Sequence, residues 1–128
     1  MIKDDSKRDE FLREPRTGVL STLGKSGTVH AVPVIYLWQD GTFRILTDRI
    51  SQKRKNIDRS GRASLCIPGE GGRYVTAEGP VAIEDPVSYD QRLALHTHYR
   101  GLEAATKVVA DGAHERMITL VLTPERWL

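Results

Sequence analysis

The chain has 128 residues, 39% of them hydrophobic and 28% charged, with a formal net charge of +2. That length makes one domain, residues 1–128, and the composition excludes an intrinsically disordered chain. No apolar run approaches the ~20 residues of a membrane span, and the opening MIKDDSKRDE is not a signal peptide, so a cytoplasmic protein with no membrane partner is expected. A single cysteine, Cys66, rules out an internal disulfide, and the absence of a Cys/His cluster argues against a metal.

Residues 5–14 form an amphipathic pattern with Phe11 and Leu12 as its apolar contacts, and Pro15 ends it. Residues 17–23 (TGVLSTL) predict a strand, 24–27 a hairpin loop, and 29–38 (VHAVPVIYLW) a second strand. Asp40-Gly41 is a two-residue hairpin signal before a third strand at 42–47. The period then changes, and 51–60 (SQKRKNIDRS) predicts a helix with Ser51 as N-cap and Gly61 just past its end. Residues 63–67 and 73–84 predict strands, with Gly79-Pro80 marking a bulge or bend in the latter. Asp85-Pro86 is expected to open a helix as N-cap and first residue, running to about Tyr99. Gly101 divides it from a second piece over 102–110, and residues 117–123 (MITLVLT) close the chain as the sixth strand. Strands without regular helical alternation predict a mainly β protein, a six-stranded antiparallel barrel with peripheral helices.

Residues 31–38 (AVPVIYLW) are apolar at every position, so both faces of that strand are expected to be covered. The barrel core covers one face. A second subunit or a helix of the same chain covers the other, and a homodimer is the simpler arrangement.

The charge is uneven. Between Arg44 and Arg62 there are seven cations (Arg44, Arg49, Lys53, Arg54, Lys55, Arg59, Arg62) and two anions (Asp48, Asp58), a local +5 on an otherwise slightly acidic chain. Lys53, Arg54 and Lys55 fall in the first helical turn after Ser51, where free backbone N–H groups and the helix dipole already favour negative charge. Three cations there cost ~1–3 kcal/mol at low ionic strength, and a bound anion, phosphate above all, reverses the sign. Lys53 and Asn56, three apart, share a helix face and can both reach such a ligand.

The series G-x-x-HAVPVIYLW, a DG hairpin, FRILT, then S-x-K-x-x-NI-D-x-S-G-R-ASL and YVTAEGPV resembles the flavin/deazaflavin oxidoreductases of the pyridoxamine 5′-phosphate oxidase-like split β-barrel class. It covers roughly residues 11–85 and is most like the small actinobacterial branch that uses the deazaflavin coenzyme F420. The resemblance implies an FMN-binding-type split barrel, a homodimer, and a cofactor in a groove at the subunit interface. The family's phosphate contacts carry over to Ser51, Lys53 and Asn56, with Arg49 and Gln52 beside them. Thr47 matches a position that touches the cofactor, backbone around Val32, Pro33 and Val34 lies along the ring, and Tyr74 with Arg73 sits near the groove. The substrate-phosphate set of a full pyridoxamine phosphate oxidase is missing. F420 is favoured over flavin mononucleotide (FMN) because Arg49, Arg54, Lys55 and Arg59 can meet its oligoglutamate tail.

Hydride transfer asks little of protein side chains, so no residue is singled out as catalytic. The expected activity is a reductase passing hydride from the deazaflavin to an unsaturated small-molecule acceptor, with an FMN enzyme or a non-catalytic cofactor carrier as alternatives. A nucleic-acid module is disfavoured, since few aromatics interleave with the basic residues. His96 and His98 face different directions on a helix and make no metal pair. His30 is expected to be a structural histidine, Cys66 a buried inert thiol, and Tyr36 and Trp38 core or dimer contacts. Trp127-Leu128 either docks on a partner or ends as a loose tail.

Overall fold

A computed structural model describes residues 1–128. In chain order it contains α1 (Asp5–Arg13), β1 (Thr17–Leu23), β2 (Val29–Ile35), β3 (Leu37–Gln39), β4 (Thr42–Asp48), α2 (Gln52–Ser60), β5 (Arg62–Pro68), β6 (Tyr74–Glu84), α3 (Tyr89–Arg100), α4 (Leu102–Val109), β7 (Met117–Leu122) and β8 (Arg126–Trp127). The sheet runs β2-β1-β5-β6-β7-β4-β3, every pair antiparallel, with β8 added to β6. This is the expected mainly β split barrel with peripheral helices. Its strands exceed the predicted six because one is broken and one is new.

The broken strand is the predicted 29–38, which bends at Tyr36. The Tyr36 N–H leaves the ladder and donates to the Tyr99 hydroxyl oxygen at 3.0 Å, while that hydroxyl lies 2.7 Å from the Arg16 carbonyl and 2.9 Å from the Tyr36 carbonyl. The two halves, β2 and β3, stand at opposite ends of the strand order, so one bent segment draws the curled sheet toward closure. The new strand is the C-terminus. Trp127 pairs with Ala77, its ring stands 6.0 Å from Trp38, and the Arg8 guanidinium lies 3.9 Å over it. It is therefore not a loose tail.

Alternation fills the barrel. Leu20, Phe43, Ile45, Leu65, Ile67, Val75, Ala77, Ile118, Leu120 and Leu122 are buried inward, and Phe11 and Leu12 of α1 plug one end. Each fully buried side chain of Val or Leu size contributes ~1.5–3 kcal/mol relative to exposure. Strand β6 changes partner at Gly79-Pro80: Arg62 pairs with Pro80 and Val81 with Leu122, with no residue inserted. A Cβ at Gly79 would collide with the Thr123 carbonyl oxygen, so close chain crossing explains the glycine.

One helix start differs from expectation. Asp85-Pro86 is a cis peptide and lies outside α3, which begins at Tyr89. Ser88 caps it: its hydroxyl accepts from Gln91 N–H at 3.0 Å and the Gln91 side chain accepts from Ser88 N–H at 2.7 Å. That capping box satisfies two N–H groups, while the Asp85 carboxylate is engaged by Arg49 instead. Gly101 divides α3 from α4 as anticipated.

Candidate functional site

Strand β4 ends at the rim of the barrel with Thr47 turned inward, only 6% exposed. Three residues later Ser51 caps α2, its hydroxyl accepting from Arg54 N–H at 3.2 Å, and Gly61 closes the helix in the left-handed region at φ 73°. The N–H groups of Gln52 and Lys53 have no protein partner, and the first turn holds no acidic residue. Ile57 anchors the helix in the core.

The cations of the basic stretch divide into two sets. Arg44 pairs with Glu84, Arg54 with Asp58 at 3.0 Å, and Arg62 with Glu78 at 2.7 Å and Glu125 at 2.5 Å. Arg49 makes a bidentate pair with Asp85 at 2.7 and 2.8 Å, which holds that carboxyl below its ordinary range. Arg59 donates to the Leu23 carbonyl at 2.8 Å and to Asn56 Oδ1 at 3.2 Å. The Lys53 and Lys55 ammonium groups have no ion-pair partner, and the Lys55 backbone N–H donates to the Ser51 carbonyl at 3.1 Å. Positive charge without a compensating carboxylate is thus concentrated on Lys53, Lys55 and Arg59, while Arg49 and Arg54 are already paired. The carboxylates on Arg44, Arg49 and Arg62 come from 78–85 and 125, and the one sequence signal for them was the excess of cations over anions within 44–62.

Asn56 is turned into the fold, whereas Lys53 on the same side of the helix is only half-buried. Asn56 is 0% exposed; its Nδ2 donates to Thr22 Oγ1 at 3.0 Å and its Oδ1 accepts from Gln52 Nε2 at 2.8 Å. The amide therefore ties α2 to β1 and orients Gln52. His30, opposite Thr22 in the ladder, has a buried Nδ1 without a partner, whereas its position had suggested a structural hydrogen bond.

Val32 and Val34 turn into the barrel and are half-buried; Pro33 faces out. Arg73 and Tyr74 are not brought to α2. Arg62, just past α2, pairs with Pro80, six positions along β6 from Tyr74, which is ~20 Å at strand rise. Arg73 instead donates to Glu70 at 3.1 Å and lies over Phe11. A depression of about 340 Å³ opens beside the lead-in to α2, lined by Asp48, Arg49, Ile50 and Arg116. A larger one of about 730 Å³ lies at the N-terminal segment and α1, with Arg73 on its wall.

The apolar run is covered only in part. Beyond Ile35 its own chain covers it: Tyr36 is buried beside the Tyr99 hydroxyl, and half-buried Trp38 lies against α1 with its indole N–H on Asp9 at 2.7 Å. Before Ile35 no helix covers it. Val29 is 68% exposed, Leu23 51% and Val19 38%, with Ala31 and Pro33 exposed beside them and half-buried Cys66 opposite Val19. The bare face is mainly apolar, with Ser21 and Ser64 the polar residues within it.

The sequence profile described as pyridoxamine 5′-phosphate oxidase matches residues 5–128. The chain belongs to that family. A curated relative within reach of this pyridoxamine 5′-phosphate oxidase family member is the F420H(2)-dependent biliverdin reductase of Mycobacterium tuberculosis (strain CDC 1551 / Oshkosh), 33% identical over 94 residues, covering 70% of this chain and 68% of that one. Among solved structures, the conserved hypothetical protein Rv2991 of Mycobacterium tuberculosis superposes with a TM-score of 0.84 at 24% identity, over 99% of this chain and 84% of its own. An F420 reductase superposes with a TM-score of 0.78 at 20% identity, over 94% of each chain. These superpositions establish the split barrel. No helix of this family member is long and apolar enough to cross a membrane.

Proposed function

We propose that the protein is a reductase that holds coenzyme F420 by its phosphate at the head of α2 and passes hydride to an unsaturated organic acceptor. The observation that carries the proposal is the conjunction of two free N–H groups and an unpartnered Lys53 ammonium at a helix N-terminus with no carboxylate in its first turn. The residues fit an anionic cofactor: a phosphate meets Lys53 and the Gln52 and Lys53 amides, with the Ser51 cap fixing the turn. Thr47 and the backbone of Val32, Pro33 and Val34 border the ring on this reading. Lys55 and Arg59 are the cations left for a polyanionic tail. When bound, the deazaflavin supplies the hydride chemistry, and the protein supplies position, charge and exclusion of water.

The bare face of β1 and β2 supports a homodimer, because an apolar face of this kind marks an interaction surface. A second copy would also resolve the separation of Arg73 and Tyr74 from α2, since a groove between copies can take those residues from one protomer and the helix from the other. The biliverdin reductase relative favours the deazaflavin. A likeness to a FAD-binding protein of Mesorhizobium loti, TM-score 0.66 at 16% identity, keeps the flavin alternative on the same barrel in view.

Anaerobic mixing of protein and reduced F420 with a panel of conjugated acceptors tests the proposal, with coenzyme reoxidation followed by absorbance. Protein-dependent reoxidation with at least one acceptor is expected. Binding without turnover across the panel makes the protein a carrier, and affinity for FMN alone moves it to the flavin enzymes.

A further inference from the structure

The segment that aims the free amides of α2 is short. Between Asp48, the last residue of β4, and the Ser51 cap there are only Arg49 and Ile50, and Ile50 is 85% exposed. Arg49 is therefore the one anchored residue in the connection. Its N–H donates to the Arg116 carbonyl at 2.7 Å, its carbonyl accepts from Arg54 Nη1 at 3.4 Å, and its guanidinium reaches the Glu115 carbonyl at 3.2 Å. The strongest hold is the two-pronged pair with Asp85, Nε to Oδ2 at 2.8 Å and Nη2 to Oδ1 at 2.7 Å. Asp85 directly follows β6, whose Glu84 pairs with Thr119, while Asp48 pairs with Met117. The clamp thus spans the start of β7 and ties the ends of β4 and β6 at one rim of the barrel.

We infer that Asp85 is a positioning residue for the anion site: through Arg49 it fixes the lead-in that points the Gln52 and Lys53 amides at the ligand. This rests on the proposed anion-binding function of α2. It gives Arg49 a structural part, because each of its three guanidinium nitrogens already has a protein partner, two on Asp85 and one on the Glu115 carbonyl. A planar fork locked onto a carboxylate is a rigid strut, and a lysine would not replace it.

The sign of one measurement separates this from plain electrostatics. Asp85 is an anion near an anion site, so if charge alone mattered, Asp85→Asn would tighten binding. A strut predicts the reverse. Wild type, Asp85→Asn, Asp85→Glu and Lys53→Ala are titrated with oxidised F420 and with FMN by fluorescence, alongside thermal melts and amide exchange over residues 50–53. Expected is at least a fivefold loss of affinity in Asp85→Asn, recovery to within twofold of wild type in Asp85→Glu, and faster exchange at 50–53 in Asp85→Asn without global unfolding. Unchanged or tighter binding in Asp85→Asn, with Lys53→Ala still weakened, overturns the strut and leaves the anion site standing. Failure of wild type to bind either coenzyme removes the anion site and the strut together.

Discussion

Lys53 stands where the helix dipole is least hospitable to it, and no neighbouring carboxylate relieves the placement. Asn56 one turn later has the opposite situation, buried and hydrogen-bonded to Thr22 and Gln52. Asn56→Ala should therefore destabilise the fold by ~2 kcal/mol, because it opens a cavity and strands buried partners; a urea titration checks it. The S-x-K-x-x-N spacing made both residues visible in the sequence, yet it could not show which way the amide turned. Helical positions three apart lie close together, and burial against β1 then separates their roles. Two carboxyls give a pH signature. Arg16 draws Glu70 from its ordinary 4.5 to about 2, and Arg92 draws Asp111 from 3.8 to about 2. Both are lowered in the folded state, so their contribution is complete above the unfolded values and is lost as pH falls through about 2. Stability measured by denaturant midpoint should fall between pH 4.5 and 2, and the Asp111→Asn variant should lose less over that range.

At the scale of elements, local patterns located the pieces and remote contacts set their ends. The Ser51 cap and Gly61 terminator of α2 were legible because caps act within one turn. The start of α3 was not, because Asp85-Pro86 resembles a cap and first residue, whereas the Asp85 carboxylate is occupied by Arg49, 36 positions earlier in the chain. The bend at Tyr36 was equally hidden, since the Tyr99 hydroxyl that draws its N–H out of the ladder comes from a distant helix. Gly79 shows what a strand crossing demands. Gly79→Ala should cost ~1–3 kcal/mol by forcing Thr123 away, visible as a lowered melting temperature.

For the whole molecule, the split barrel was readable from strand spacing and from the family resemblance, and the profile match over residues 5–128 agrees. The unbroken apolar run announced a surface to be covered, but only the structure divides it into a half buried by α1 and Tyr99 and a half left bare. If a second copy covers Val19, Leu23 and Val29, wild type should sediment as a dimer at micromolar concentration. Val29→Glu should then shift it to monomer and weaken coenzyme binding with it. On the proposed function a negatively charged coenzyme satisfies the head of α2, and titration of wild type and Lys53→Ala with oxidised F420 is the decisive experiment. Micromolar or tighter binding by wild type, weakened at least tenfold in the variant (~1.4 kcal/mol), is the predicted result; equal affinity in the two proteins would contradict it.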